Sequence, residues 1–522
     1  MEFTIRKDAK TIPHKKHWQF CVGSGHALLA LRTDYARQLK FIHDELGIRH
    51  VRFHGIFDDD MNTVHDLTDF MPFPGLEAFT EQGFRHCGVA YDNVLAAGMK
   101  PFVELGFMPQ KLAARDDKGF FFYKPIIAPP ADYGRWAEYI KAFLRYLIHR
   151  YGAEEVRTWP FEVWNEPDLP AFFTGTRDEY FKLYEVTARA IKEVDPQIQV
   201  GGPATSGSKW VRSFVEFCRT NDVPVDFVST HQYAGDPLGG VHDQGGPEDS
   251  GEELHFDFTP PDMSAVEEKT FLAGMRAIMP DRSELEDIPN DGFIRNSAIV
   301  KEQAAGLPVY YTEWNENAGF GSYTNDTRKV AAYDVKTALD VSDSITGSSI
   351  WCFSDIFEEL HPFHEPFHGG FGMLTNDGIP KPVFYGMKLL AEAGDLRLDL
   401  GEDATKGEIG IAAFEKEGRK QVLLFRQKMK NLDLPPEPVI VKLELDKAPK
   451  SVTARRIDEN HCNPLKLWEE AGRPQDLNRA EIDDLVARSA MVEEDWPFGY
   501  GDGELILTAA LSVNDLYFFE IQ

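Results

Sequence analysis

The feature that most constrains the fold is a regular alternation of short apolar runs with longer amphipathic stretches. Eight runs have strand character, at 18–23, 48–54, 101–106, 160–165, 198–202, 225–231, 308–313 and 347–353. Helical patterns lie between them, at 132–151, 177–194, 208–220 and 327–341 among others, with candidate N-caps at Thr33-Asp34 and Asp326-Thr327. Eight strands alternating with helices favour a closed (β/α)8 barrel over an open sheet. We therefore expect an α/β protein whose residues 18–394 form a TIM barrel.

The pattern changes after Gly394. Short alternating runs follow at 408–414, 420–426, 438–445, 451–456, 504–509 and 515–521. This spacing predicts a C-terminal antiparallel β-sandwich over 395–522, with a small helical insertion at 478–489. Residues 1–17 are expected to join it, because Phe3-Thr4-Ile5 has the character of an edge strand. A chain of 522 residues also exceeds what one hydrophobic core usually supports.

A long segment at 234–306 departs from the alternation. It is rich in Gly, Pro, Asp and Glu, and only pieces near 262–278 and 293–305 have helical periodicity. Long irregular segments inside compact domains are uncommon unless they are functional lids or disordered. Since this one follows the sixth strand, we interpret it as a rim loop that narrows access to the barrel mouth and favours exo action.

Composition restricts the partners of the protein. The chain carries 85 acidic against 55 basic side chains, a formal charge of −30. Such a surface repels nucleic acid and anionic membranes, so a neutral small molecule or sugar is the expected partner. The acidity also serves simple solubility. The N-terminus has no secretory signal and no run spans a bilayer, so we expect a cytoplasmic protein.

No pattern predicts a cofactor or a metal. The five cysteines are odd in number and lack paired metal-ligand spacing, which also argues against a disulfide framework. His361, His364 and His368 are irregularly spaced in a Pro-containing loop, which is a poor metal motif. No Gly-rich phosphate loop is present.

Two glutamates stand where catalytic groups of a barrel are found. Glu166 lies in Trp164-Asn165-Glu166-Pro167 and ends the fourth predicted strand, and Glu313 ends the seventh. Catalytic groups of TIM barrels come from the C-terminal strand ends. Two carboxyl groups facing one cavity are the minimum equipment for cleaving a glycosidic bond. We therefore predict a glycosidase with Glu166 and Glu313 as its catalytic pair.

Other polar and aromatic residues share these strand ends. The alternation of a strand puts Arg52 and His54 on one face, and likewise His231 and Tyr233. Arg52 either keeps a catalytic carboxyl ionised or forms a structural ion pair. His231 either contacts the sugar or is a core histidine whose hydrogen bonds are made within the protein. A sugar ring can stack on Trp351, which is otherwise a core residue. The candidates for sugar contact are thus His54, Asn165, His231, Tyr233, Trp351, Glu358 and Glu359, although Glu358-Glu359 also suits a solvated pair.

The motifs resemble a known family. Trp164-Asn165-Glu166-Pro167 is similar to the large barrel superfamily of retaining glycosidases. The segments WQFCVGSG (18–25), VRFHG (51–55), PFVELGFMP (101–109), VPVDFVSTHQY (223–233) and FHGGFG (367–372) narrow the resemblance to glycoside hydrolase family 39, the β-xylosidases.

That resemblance implies Glu166 as acid/base, Glu313 as nucleophile, and the seven residues named above as contacts of the sugar at the cleavage point. The chain departs from the family pattern after Glu313, where Trp314-Asn315-Glu316-Asn317 replaces Tyr or Phe followed by Asn-Thr-Ser, and in its longer segment 236–306. Both departures surround the site.

The expected function is therefore a retaining β-xylosidase acting on xylo-oligosaccharides or other β-xylosides. Three alternatives stay open at this point. They are a glycosidase of uronic acid glycosides such as iduronides, a β-glucosidase or β-galactosidase, and a non-catalytic carbohydrate-binding protein. The sequence is compatible with a monomer or a homo-oligomer.

Overall fold

The fold is that of a computed structural model that describes residues 1–236, 263–267, 269–278 and 288–522. The predicted rim loop therefore falls partly outside the described residues. Its described pieces include the helices Phe271–Ile278 and Gly292–Gln303, close to the predicted helical pieces.

A parallel barrel forms the first part of the chain. Its strands are Cys21–His26, His50–His54, Lys100–Pro101, Val103–Leu105, Phe161–Val163, Val200–Thr205, Phe227–Tyr233, Val309–Asn315 and Gly347–Ile350. The segment Lys100–Pro101 pairs with the second strand and Val103–Leu105 pairs with the fourth. These two segments are separated by Phe102 alone, so they act as one broken third strand that closes the barrel. The predicted eight-stranded TIM barrel is confirmed.

Helices surround the barrel and bury an apolar stripe against it. They are Thr33–Leu46, Arg85–Ala96, Tyr133–Tyr151, Ala153–Val156, Arg177–Val194, Val211–Thr220, Arg328–Asp340 and Pro382–Glu392, besides the two rim helices. Tyr133–Tyr151 illustrates why they form: Asp132 accepts from two backbone N–H groups at its start, and its buried residues recur every three or four positions. Thr327 is an N-cap as predicted. Thr33 is not, because the helix begins at Thr33 itself and Arg32 holds the N-cap position without a side-chain bond.

Several predicted strand boundaries shift, among them that of the eighth strand, which ends at Ile350, and two shifts have a clear local reason. The first strand begins at Cys21, because His17–Gln19 forms a 3-10 turn. The fourth strand stops at Val163, because Trp164 and Glu166 adopt positive φ angles, which no regular strand allows.

Antiparallel sheets form the C-terminal part, as predicted. One sheet contains Glu2–Ile5, Glu437–Glu444, Glu504–Leu511 and Phe498–Gly501. The other contains Thr11–Pro13, Leu396–Leu398, Ile409–Lys416, Arg419–Arg426, Leu516–Ile521, Val452–Ile457 and Glu493–Asp495, with Thr405–Lys406 paired at its side. Glu2–Ile5 is the predicted edge strand, and it runs parallel to Glu437–Glu444. The helices Pro464–Glu470 and Arg479–Arg488 form the insertion.

The sandwich has its own core and also packs on the barrel. Its facing residues, such as Phe3, Val441, Leu424 and Phe519, form one apolar cluster. Phe414 and Phe518 belong instead to the large core shared with the barrel helices. All five cysteines lie among the described residues, where they are buried and unpaired. Within the described part of the chain, no helix has both the length and the apolar character to cross a membrane.

Candidate active site

Glu166 and Glu313 meet at the C-terminal mouth of the barrel. Glu313 lies in the seventh strand, Val309–Asn315, and Glu166 follows the fourth strand by three positions. One oxygen of each carboxyl and one ring nitrogen of His231 lie within 4.8 Å of one another. Both carboxyl groups are buried. The two side chains therefore share one space.

An unusual backbone turn orients Glu166. Trp164 and Glu166 have φ angles of 73° and 41°, a region that side-chain-bearing residues rarely adopt. The Glu166 N–H donates to the carbonyl of Ala204 at 2.8 Å, and the Trp164 indole N–H donates to the carbonyl of Phe172 at 2.9 Å. These bonds hold the turn. Backbone strain of this kind is concentrated at functional sites.

A buried arginine ties the site together. Arg52 donates to Glu313 Oε1 at 2.8 Å, to Glu162 Oε2 at 2.6 Å and to Asn165 Oδ1 at 2.9 Å. Its Nη2 also lies 2.9 Å from Glu104 Oε2. Burial opposes the guanidinium charge, but the surrounding carboxylates outweigh burial and raise the pKa of Arg52. A permanent positive charge therefore lies beside Glu313.

Tyr233 and His54 also contact Glu313. The Tyr233 hydroxyl donates to Glu313 Oε2 at 2.9 Å. His54 Nε2 lies 3.6 Å from Glu313 Oε1, while its Nδ1 lies 2.7 Å from Glu104 Oε2. Burial lowers the pKa of His54 to about 3, so its imidazole is neutral at pH 7. One oxygen of Glu313 thus contacts Arg52 and the other contacts Tyr233, which fixes the plane of its carboxylate.

Glu166 has a different electrostatic environment. Burial, followed by the charges of Asp168 and Asp236, raises the pKa of Glu166 well above its ordinary value. His231 Nδ1 lies 2.9 Å from Glu166 Oε1, and burial lowers the pKa of His231 to about 4. The raised pKa of Glu166 favours its protonated form, beside an imidazole whose pKa favours the neutral form. Glu166 is therefore suited to donate a proton, and the Glu313 carboxylate is suited to meet positive charge that develops on a substrate atom.

The adjacent residues Glu358 and Glu359 separate in space. Glu359 Oε1 lies 3.6 Å from His54 Nε2, and burial together with Glu313 raises the pKa of Glu359 well above its ordinary value. Glu358 has a φ of 51°, and its half-buried carboxylate pairs with Arg32. Only Glu359 joins the cluster around Glu313.

Aromatic side chains enclose the remaining sides. The Trp351 ring lies 4.8 Å from the His54 ring, measured between centroids. Gly23 makes room for it, because a Cβ at that position would lie 2.4 Å from Trp351 Cε3. Phe121, from the aromatic run 119–123, lies 6.1 Å from the His54 ring on another side. The polar groups around Glu313 thus form the bottom of the site, and the rings of Trp351 and Phe121 line its sides.

Glu104 and Glu162 were missing from the predicted set. Both are wholly buried, and Glu162 also accepts from Thr312 at 2.8 Å. Each is a lone carboxyl inside an apolar strand, PFVELG and PFEVWN, which was the available signal. An isolated acid in a buried strand must have a buried partner, and here that partner is Arg52.

A barrel whose mouth holds two converging carboxyls, one with a raised pKa and one beside a fixed cation, defines a (β/α)8-barrel glycoside hydrolase. The model of glycosyl hydrolases family 39 matches residues 1–243 and 270–499. The chain belongs to this family, as its motifs predicted.

Full-length relatives agree. The chain is 38% identical over 501 residues to a β-xylosidase of Caldicellulosiruptor saccharolyticus, covering 96% of this chain and 93% of that protein. It is 33% identical over 514 residues to a β-xylosidase of Geobacillus stearothermophilus, covering 97% and 93%. A family 39 β-xylosidase structure from Caulobacter crescentus superposes with a TM-score of 0.75 at 29% identity, over the whole of both chains.

Proposed function

We propose that the protein hydrolyses β-linked xylose from xylo-oligosaccharides or other β-xylosides, with retention of anomeric configuration. The observation that carries the proposal is the approach of Glu166 and Glu313 to within 4.8 Å, oxygen to oxygen. Retaining glycosidases place their carboxyls about 5–5.5 Å apart, whereas inverting ones need about 6.5–9.5 Å to admit a water. The full-length similarity to two β-xylosidases supports the choice of xylose.

The first step forms a covalent intermediate. A Glu313 oxygen attacks the anomeric carbon as the bond from that carbon to the leaving oxygen breaks. Glu166 gives its proton to the leaving oxygen and becomes a carboxylate. Asn165 and His54 are proposed to hold sugar hydroxyls, and Trp351 to stack on the ring.

The second step releases the sugar. Glu166, now ionised, takes a proton from water, whose oxygen attacks the anomeric carbon and breaks the ester to Glu313. Both carboxyls return to their starting states. His231 supports Glu166 in both steps, because its neutral Nδ1 lies 2.9 Å from Glu166 Oε1. Tyr233 keeps the Glu313 carboxylate oriented.

The charges of the site argue against a uronic acid substrate. A substrate carboxylate needs a free cation, but Arg52, the arginine of the described cluster, is already engaged by Glu104, Glu162 and Glu313. Glu359 adds a further acid. A neutral sugar fits this acidic site better than a uronic acid does.

A panel of 4-nitrophenyl glycosides tests the proposal. The β-xyloside is expected to have the highest kcat/KM among xyloside, glucoside, galactoside and iduronide, and NMR of the first product should show the β-anomer. Glu313→Ala should reduce turnover by several orders of magnitude. A preference for another sugar, or an α-anomer as first product, would contradict the sugar or the mechanism respectively.

We also propose that residues 395–522 are a packing and assembly domain beside a catalytic domain at 18–394. Its contacts with the barrel support this, since Arg455 pairs with Glu392 and Phe414 joins the barrel core. Sugar binding by the sandwich can be tested at Phe498 and Tyr500, which are both exposed on its edge strand.

Cytoplasmic location and homo-oligomer formation stay predictions. Sedimentation of the full chain tests whether it forms a homo-oligomer.

A further inference from the structure

A second convergence of ligand atoms lies at the barrel mouth, outside the catalytic pair. His26 ends the first strand, and Asp58 and Asp60 follow the second strand. We call these three residues the His26 cluster. His26 Nε2 lies 3.3 Å from Asp58 Oδ2 and 3.2 Å from Asp60 Oδ2. Three potential donors from two strand ends thus approach one point.

The atoms of this cluster contact one another without meeting hydrogen-bond geometry. Nε2 of His26, both carboxylate oxygens of Asp58 and Oδ1 of Asp60 are buried, and none has a hydrogen-bond partner among the described residues. The side chains of His26 and Asp58 are 5% and 4% exposed. Buried polar atoms without partners need an explanation such as a bound ion. Here the orphaned atoms belong to ligand-type side chains and face one another.

The spacing fits a coordination sphere. Zinc–nitrogen and zinc–oxygen bonds of about 2.0–2.2 Å put neighbouring ligand atoms about 3.0–3.5 Å apart. The two nitrogen–oxygen distances of the cluster fall in this range. Among the described residues, Asp58 and Asp60 form ion pairs with His26 alone, so no lysine or arginine neutralises the two carboxylates. A protonated His26 would balance one of the two carboxylates, whereas a divalent cation would balance both.

We propose that His26, Asp58 and Asp60 bind a divalent transition-metal ion such as Zn²⁺, with positions left open for water. One imidazole and two carboxylates are a donor set that first-row divalent ions accept. This site does not depend on the proposed hydrolase mechanism, and it corrects the expectation that the protein binds no metal.

The position of the site assigns it a structural role. The Tyr123 ring stacks on the His26 ring with centroids 3.6 Å apart and planes 9° apart. Tyr123 packs against Phe121, which faces His54 in the active site. The ion therefore links the ends of the first and second strands. This link lies next to the aromatic segment with Phe121 and Tyr123, which lines the pocket.

Zinc binding to the full chain tests the proposal. After chelator treatment, Zn²⁺ is titrated by calorimetry, and crystals soaked in Zn²⁺ are measured at the zinc absorption edge. We expect an anomalous peak between His26, Asp58 and Asp60. Asp58→Asn and Asp60→Asn should each weaken binding by about 100-fold, the upper range for losing a group that supports a metal.

The chain offers a matched control in the same turn. Asp59 lies between the two ligands, but its Oδ1 accepts from the Gln110 N–H at 3.1 Å. Asp59→Asn removes the same charge and should bind Zn²⁺ as the parent does. If Asp58→Asn does not fold, Asp60→Asn decides, because Asp60 is 34% exposed at its side chain.

A second set of atoms requires a further control. Glu166, His231 and Glu313 also come within 4.8 Å of one another and can chelate zinc. In Glu313→Gln the peak at the His26 cluster should persist. The proposal is overturned by a peak at the catalytic residues alone, by no zinc peak at all, or by equal affinities of Asp58→Asn, Asp60→Asn and Asp59→Asn. The last two results would mean that a protonated His26 simply pairs with the two carboxylates.

Discussion

Replacing Glu166 with alanine tests the proposed acid/base role most directly. The carboxyl is buried, its pKa is raised by burial, and it approaches Glu313 within 4.8 Å. A positioned general acid contributes about 10²–10⁴ in rate. This corresponds to about 2.7–5.4 kcal/mol of activation free energy.

The loss should depend on the leaving group. The phenolate released from phenyl β-xyloside is basic and needs a proton as it leaves. The kcat/KM for this substrate should therefore fall by the full factor of about 10²–10⁴. Dinitrophenolate leaves without a proton, so the kcat/KM for dinitrophenyl β-xyloside should change little. Its kcat should fall, because the second step, hydrolysis of the covalent intermediate, still needs Glu166 as base. Azide, entering the space vacated by the carboxyl, should restore kcat and give β-xylosyl azide.

The stability of this variant supplies an independent check. Among the described residues no cation contacts the Glu166 carboxyl, so its removal relieves the cost of desolvation, but it also takes away the 2.9 Å partner of His231 Nδ1. The free energy of unfolding should therefore change by no more than about 1–3 kcal/mol. Glu185→Ala, on the outer helix Arg177–Val194, is a control whose carboxylate pairs with Arg189 at the surface. Equal losses with both leaving groups, without azide product, would refute the reasoning.

Three further changes have defined outcomes. Asp168→Asn removes a charge that raises the pKa of Glu166; since activity requires protonated Glu166 and falls as pH rises through this pKa, the alkaline limb of the pH–kcat/KM profile should move to lower pH, and an unmoved limb would contradict this. Tyr233→Phe removes a 2.9 Å hydrogen bond to Glu313, worth about 1.5–3 kcal/mol at a charged group, so kcat/KM should fall by about 10- to 150-fold in steady-state assays. Arg52→Met leaves buried carboxylates unpaired and should reduce stability by about 3–5 kcal/mol in urea unfolding; a midpoint equal to that of the parent would show that the pairing is not needed.

Local patterns in the chain were enough to predict its architecture. Eight strands, the helices between them and the sandwich strands follow from side-chain periodicity, which each segment carries by itself. Glu166 and Glu313 were predicted as the catalytic pair because the active sites of TIM barrels lie at the C-terminal strand ends. His54, His231 and Tyr233 followed from the alternation of neighbouring positions in a strand.

Barrel closure determined what the sequence left open. Arg52, Glu104 and Glu162 come from three strands, and only closure brings them to hydrogen-bond distance. Glu358 and Glu359 are neighbours in sequence, yet the left-handed φ of Glu358 directs one carboxylate to Arg32 and the other to the pocket.

The His26 cluster shows the same limit. Its members come from separate segments, so no spacing motif announces it, and its orphaned atoms exist only in the folded chain. Periodicity is a property of neighbouring residues and is readable from sequence. Electrostatic environment is a property of distances through space, which the tertiary structure alone sets.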